Sequence, residues 1–360
     1  MLCKAHRVNN MATTMKPSNV WLLLLLLLAS SSSLQAFSPL LPSSLRGPSA
    51  PPRVSRSPSR AVVMLESGRL VGLVGATGGV GRLVAAGLLQ EGYKLRAIVR
   101  SPDRAAGLLP PEVEKVAADT RDPSFGAGLQ VALDGVDAVI ICTGTTAFPS
   151  SKWGKDGENS PKAVDDEGVK NVVAAIEKVN AASKTKIQRV TFLSSVGVLR
   201  RKQFPFNILN LYGVLDAKNE GEQAIIKASE RASFSYSIVR PGRLLGGPYT
   251  GTPDVASLLQ LDEGNKQAVI LRSGDPDGFT GDASRKQAAM AMVQTLVQKD
   301  LGDVAFVLKN VEGPFPTQKE WDDAFRSLND PELQGSQGPS DFSFLLEDLQ
   351  RKVSKFFSQK

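Results

Sequence analysis

The chain has 360 residues, the size of one large domain or two small ones, and a formal net charge of +7. All of that charge lies in residues 1–60, which contain no Asp or Glu, whereas residues 61–360 hold equal numbers of acidic and basic side chains. The basic balance therefore describes a leader and gives no reason to expect a nucleic-acid surface on the folded part. The single histidine, His6, is also in the leader, so a histidine base or His-based metal site is excluded from the rest. No carboxylate spacing points to a metal, and none is expected. Cys3 lies in the leader and Cys142 ends the apolar run VDAVIIC. The folded part thus has no partner for an internal disulfide, fits a reducing compartment, and carries a thiol read as buried and inert.

In chain order, residues 20–29 (VWLLLLLLLA) come first, an apolar block too short to span a bilayer comfortably. Lys16 precedes it and SSSS follows, the order of a signal peptide over 1–36. Residues 37–60 are rich in Ser, Pro and Arg, the composition of a transit peptide. The junction LQAFSP, with Phe37 directly after Ala36, resembles the bipartite presequence of algae with complex, red-derived plastids. That resemblance implies delivery to a plastid, with the stroma as the expected compartment and no membrane span left in the mature chain.

From residue 69 the sequence alternates between two periods. Leu70–Val74 reads as a strand, followed by a glycine-rich turn, an apolar helix to about Gln90, and a second strand at Lys94–Val99. Residues 113–118 form a weak third strand and Asp134–Cys142 a strong fourth. Residues 165–182 are helical, with Val169, Val172, Val173, Ile176 and Val179 on one face. Arg189–Ser195 is a fifth strand, Leu215–Ser229 a helix and Phe234–Val239 a sixth strand. GRLLGGPYTGTPD then reads as a loop, Ala268–Arg272 as a short strand, Ser284–Gln298 as a helix and Val304–Leu308 as a strand. The last of these elements is a helix over Thr317–Leu328, opened by the cap-like TQKE. This alternation predicts an α/β protein with a doubly wound parallel sheet covered on both faces. Residues 65–240 form its nucleotide-binding domain, and 241–328 a small substrate or cap lobe integrated with the fold. After a linker at 334–340, residues 341–360 form an amphipathic helix that docks on the protein, mediates assembly or touches a membrane.

The turn after the first strand reads Gly75-Ala76-Thr77-Gly78-Gly79-Val80-Gly81. Gly75 allows the tight turn, Gly78 lets backbone approach a pyrophosphate, and Gly81 lets the helix pack near the sheet. The helix start offers N–H groups and the positive end of its dipole to phosphates. Preceded by a strand and followed by a helix and a second strand, the motif has the context of a Rossmann dinucleotide site. The second strand ends in Arg100, with Arg104 one helical turn on, where an NAD site usually places an acid for the ribose hydroxyls. An arginine there suits a 2′-phosphate, so NADP(H) is expected over NAD(H), with Asp103 the nearby acid that tempers the preference. Asp119, after the third strand, is placed to approach the adenine or to be a surface turn residue. Thr143 and Gly144, with Thr145, should border the nicotinamide ribose.

The blocks GATGGVG, IVR, DTRD, TGTTAFPSSKW…VDDEGVKNVVAA, FLSSVGV, the pair Lys218 and Glu222, and IVRPGRL together resemble an atypical short-chain dehydrogenase/reductase of the NmrA-like, NAD(P)-binding class. The resemblance spans about 69–328 and is nearest to plastid members of plants. It implies a Tyr-x-x-x-Lys pair, with the tyrosine relaying a proton and the lysine holding the nicotinamide ribose, beside a serine that orients the carbonyl. Ser195 matches the serine and Lys218 the lysine, but Val214 stands where the tyrosine would be. Tyr212 is six residues before Lys218, off the same helical face, so it either curls in from the preceding loop or forms an aromatic wall. Lys218 and Glu222 are spaced i,i+4, which would also suit an ordinary exposed helix pair. Arg240, Pro241 and Gly242 should bring the chain back over the nicotinamide, unless Arg240 pairs within the sheet edge. Two functions follow: an NADP(H)-dependent oxidoreductase acting on a small or pigment-like substrate, or a non-catalytic cofactor-binding protein that assists plastid complexes or senses redox state.

Overall fold

The strands run in chain order β1 (Leu70–Val74), β2 (Lys94–Val99), β3 (Glu114–Ala117), β4 (Ala138–Ile141), β5 (Arg189–Leu193), β6 (Ser235–Pro241), β7 (Arg243–Leu245), β8 (Ala268–Ser273), β9 (Asp282–Ser284) and β10 (Val304–Val311). This is a computed structural model, and it describes residues 65–247, 256–260, 264–276, 278–299 and 301–328. The expected signal peptide, transit peptide, linker and C-terminal amphipathic helix lie outside the described residues.

The main sheet has the order β3-β2-β1-β4-β5-β6-β10-β8. All neighbours pair in parallel except β8, which runs antiparallel to β10. Because β1 lies between β2 and β4, the winding reverses there, and the crevice at the carboxyl ends of β1 and β4 is the expected ligand position. The helices are α1 (Gly79–Gln90), α2 (Pro102–Ala106), α3 (Leu129–Leu133), α4 (Gly168–Ala182), α5 (Phe206–Leu209), α6 (Val214–Ala232), α7 (Arg285–Val297) and α8 (Gln318–Ser327).

Successive strand residues point to opposite faces and feed two cores. Leu73 and Ile140 pack with Leu83, Leu88, Met292, Phe306 and Trp321, under α1, α7 and α8. Val74, Val139 and Ile141 pack with Leu133, Val172, Ile176, Phe192 and Ile225, under α3, α4 and α6. Helix α7 starts where Ser284 Oγ accepts the N–H groups of Lys286 and Gln287. Helix α8 starts with a capping box between Thr317 and Glu320, as TQKE suggested.

Three expectations change. The fourth strand is shorter than Asp134–Cys142, because Gly135 adopts φ 75° and turns the chain just before β4. The stretch from Gly242 is not all loop: Arg243–Leu245 forms β7, paired in parallel with β9 in a separate two-stranded sheet. The helix expected from 165 begins instead with a π-helical stretch, Lys162–Glu167, that runs into α4. No helix among the described residues is long and apolar enough to cross a membrane.

Candidate functional site

The glycine turn sits at the reversal point of the sheet. Gly75 has φ +84°, and a Cβ there would lie 2.9 Å from both Cys142 C and Thr143 N, so only glycine lets the turn press against the end of β4. A Cβ on Gly81 would approach Gly75 O to 2.1 Å, so this residue sets the helix-to-turn packing. Gly78 differs: its backbone is extended (φ −75°, ψ 166°), it is exposed, and a Cβ would meet only Gly75 O, at 3.3 Å. Space over Gly78 therefore opens outward at the start of α1, beside half-buried Thr77 and Gly79, while Val80 is buried. This cradle fits a dinucleotide pyrophosphate, which needs close backbone approach and helix N-terminal N–H groups.

At the adenosine end, Arg100 and Arg104 are both exposed. Arg100 Nη1 donates to Asn159 Oδ1 at 3.2 Å. Asp119 is buried, so it is not the surface turn residue of the alternative reading. Both of its carboxylate oxygens accept from Arg121, with Nη2–Oδ2 at 2.6 Å and Nε–Oδ1 at 3.0 Å. Burial pushes the Asp119 carboxyl up, but the hydrogen bonds and charge of Arg121 outweigh it and hold the pKa below the usual range. Arg121 and Asn159 were not singled out in the sequence, where an arginine in a turn and an asparagine in a polar loop carry no period.

At the other end, Thr143 is half-buried and Gly144 exposed, directly beyond β4. Lys218 Nζ donates to Asp165 Oδ1 at 2.9 Å and to Leu193 O at 3.3 Å. It lies 3.6 Å from where a Cβ on Gly144 would be, so the lysine and the expected ribose border do meet. Asp165 is fully buried and its Oδ2 accepts the Thr145 N–H at 3.3 Å. Burial raises its carboxyl pKa, against the opposing pull of Lys218. The π-helical stretch buries both Asp165 and Asp166; Asp166 faces Lys162 at 2.5 Å and Lys170 at 2.6 Å.

Glu222 does not bond to Lys218, and the exposed i,i+4 reading is corrected. Glu222 is fully buried, with its carboxylate held by Arg240 Nε at 2.9 Å and Nη2 at 2.7 Å, and by Ser194 Oγ at 2.5 Å. Arg240 Nη1 donates to Gly274 O at 3.0 Å. The guanidinium thus ties β6 to Glu222 on α6 and to the carbonyl of Gly274. Pro241 O accepts from Val196 N at 3.0 Å, and Gly242 packs so tightly that a Cβ would lie 2.1 Å from Gly281 O. Ser195, half-buried beyond β5, is flanked by the anchored Ser194 and Val196, and its Oγ donates to Val196 O at 3.1 Å. Val214 is 5% exposed. Tyr212 is exposed, in edge contact with Phe148 (6.0 Å) and Trp153 (6.1 Å). Cys142 is half-buried rather than buried, with Sγ 3.9 Å from Met292 Sδ, and desolvation pushes its thiol pKa up. Among the described residues no cluster of three or more His, Cys, Asp or Glu could hold a metal.

Residues 75–299 match the NAD(P)H-binding family. The chain belongs to that family. A dinucleotide-binding Rossmann-type fold is accordingly the established part of the reading. This NAD(P)H-binding protein is 31% identical over 188 residues to the chloroplastic protein TIC 62 of Arabidopsis thaliana, a match covering 48% of this chain and 27% of the relative. It thus spans only about a quarter of that relative's length. A second chloroplastic Arabidopsis protein is 27% identical, covering 71% of this chain and 81% of the relative. Among solved structures, a Bacillus halodurans protein superposes with a TM-score of 0.53 at 22% identity, covering 72% of this chain and all of the other. The oxidoreductase ylbE of Lactococcus lactis gives 0.51 at 19% identity, covering 72% and 97%. At these identities the structural likeness shows the fold alone.

Proposed function

We propose that this chain is a plastid NADP(H)-binding protein of the atypical short-chain dehydrogenase/reductase, NmrA-like kind, whose output is dinucleotide occupancy rather than turnover. The observation that carries this is an intact phosphate turn combined with a buried valine, Val214, where a proton-relaying tyrosine would stand. In this reading Gly75, Thr77, Gly78, Gly79, Val80 and Gly81 hold the pyrophosphate. Arg100 and Arg104 favour the 2′-phosphate, and Thr143, Gly144 and Lys218 border the nicotinamide ribose. The bound group would supply hydride chemistry; this chain supplies a lysine fixed by Asp165 and no phenol in the relaying position. The leader and the chloroplastic relatives support the plastid address.

Titration of the full-length chain with NADPH and NADH tests this. NADPH should bind more tightly and raise Tm, since a ligand at a hundred times its Kd adds about 2.7 kcal/mol. Failure of both to bind below about 1 mM removes the reading. A reporter fused to residues 1–60 that is secreted rather than delivered to plastids rejects the address.

Hydride transfer to a small or pigment-like substrate is the second reading, favoured by Ser195 beyond β5 and by Lys218 buried beside Gly144. Single-turnover oxidation of bound NADPH against plastid metabolite fractions, lost in Lys218→Ala, would support it. Full turnover in that variant would reject Lys218 as a participant.

A further inference from the structure

Two arginines from different strand ends converge on one oxygen. Arg100, directly after β2, and Arg121, beyond β3, each donate from Nη1 to Asn159 Oδ1, at 3.2 and 2.9 Å. Arg121 Nη1 also donates to Glu158 O at 3.1 Å. The opposite edge of the Arg121 guanidinium is fixed by Asp119, which takes both Nε and Nη2. The Nη1 edge is therefore presented rigidly. The charges of Asp119 and Glu158 both act on Arg121, but neither carboxylate takes its Nη1 edge. The acceptor it finds is a neutral amide on the loop over 154–160, whose Asn159 N–H returns to Trp153 O at 2.9 Å. A neutral amide oxygen is a weaker acceptor for two cations than a phosphate, which also matches the planar fork of arginine.

We propose that Arg121 and Arg100 together seat the 2′-phosphate of NADP(H), and that Asn159 Oδ1 occupies the place of one phosphate oxygen until the phosphate displaces it. The 154–160 loop then releases from the arginines on binding NADP(H) and stays on them with NAD(H), which makes Asn159 a specificity-determining residue and the loop a reporter of which dinucleotide is bound. This inference rests on the NADP(H)-binding reading above.

The test is equilibrium titration of the full-length chain and three variants with NADPH and NADH, followed by nicotinamide fluorescence. Arg121→Gln should weaken NADPH about tenfold, the worth of one charge-assisted hydrogen bond, and leave NADH within about twofold. Asn159→Asp should weaken NADPH by more than about tenfold, because a fixed carboxylate then competes for both arginines, while NADH is again little changed. Asn159→Ala should tighten NADPH alone. A wild-type chain without NADPH preference overturns the NADP(H) reading and the seat with it. A wild-type preference that persists in both Arg121→Gln and Asn159→Asp overturns the seat alone, as does an equal loss for both dinucleotides. If Arg121→Gln fails to fold, the two Asn159 variants, in a half-buried loop away from the core, decide the question by the same criteria.

Discussion

Replacing Glu222 by alanine should unfold the carboxyl edge of the sheet. Its carboxylate is fully buried and accepts from Arg240 Nε and Nη2 and from Ser194 Oγ. Burial alone would lower the Arg240 pKa, yet it is raised, because the hydrogen bonds and charge of Glu222 prevail. Glu222→Ala leaves that guanidinium 3% exposed, hydrogen-bonded to the Gly274 carbonyl and with Asp275 as the remaining opposite charge among the described residues. Stranding a buried charge costs about 3–5 kcal/mol, a large share of the roughly 5–15 kcal/mol that holds a domain folded. In a domain of this size each kcal/mol moves Tm by about 2–4 °C, so the variant should melt roughly 10 °C lower. Urea titration gives the free energy directly. The exposed pair Arg231–Glu177, at 2.7 Å, is the internal control; Arg231→Ala should cost under about 1 kcal/mol. The double variant Glu222→Met, Arg240→Met should recover most of the loss, because apolar side chains of similar volume replace an ion pair nearly neutrally. A single variant that loses less than about 1 kcal/mol, or a double variant no better than the single, refutes the account.

The glycine turn separates fold from ligand. Gly81→Ala should cost more than about 3 kcal/mol, since its Cβ would lie 2.1 Å from the Gly75 carbonyl oxygen. Gly78→Ala should cost under about 1 kcal/mol and yet weaken dinucleotide binding by more than about tenfold; calorimetry of both variants with and without NADPH checks the split. Tyr93 is buried, and its hydroxyl donates to Leu65 O at 2.7 Å. Burial, helped by Glu91, pushes its pKa from 10.0 up to about 12. The folded state therefore keeps a proton that the unfolded state loses, so stability holds below pH 10 and falls as pH rises toward 12, with Tyr236 acting in the same direction. Tyr93→Phe should lose about 1 kcal/mol at neutral pH and flatten part of that alkaline slope in urea titrations. Cys142, its pKa raised by desolvation against a weaker pull from Lys218, should react with a thiol reagent at pH 8 at least about a hundredfold more slowly in the native Cys3→Ser chain than in urea. Rapid native labelling would contradict the desolvation.

The fold was legible because its signals are local. Alternation placed the sheet, the glycine spacing placed the first turn, and TQKE placed the start of α8. The same locality explains the misses. Position along its own element does not show that Glu222 is buried against Arg240, because burial of a charge is decided by what arrives from another element. Arg121 reaches Asp119 across one turn, and Arg240 reaches Glu222 from a strand to a helix. The π-helical stretch at Lys162–Glu167 was invisible for a related reason: an apolar period of 3.6 fits α4 well, and the register change occurs before that period starts.

These charges divide the site into two unlike ends. Around Ser195 and Lys218, three buried ion pairs join different segments: Asp165–Lys218 at 2.9 Å, Glu222–Arg240 at 2.7 Å and Asp275–Arg200 at 2.8 Å. Each has both partners at least 90% shielded, so moving any of these segments would expose a charge without its counter-ion. At the adenosine end the Asp119–Arg121 pair lies within one turn, and the loop over 154–160 is held to Arg121 and exposed Arg100 by an amide oxygen. Movement there needs no buried charge to be stranded. Under the proposed function, a rigid end around Ser195 and Lys218 and an adenosine end held by a replaceable acceptor would let the protein register the dinucleotide through its phosphate. That asymmetry favours the occupancy reading over turnover, and it locates the expected conformational response in residues 154–160 rather than around Ser195.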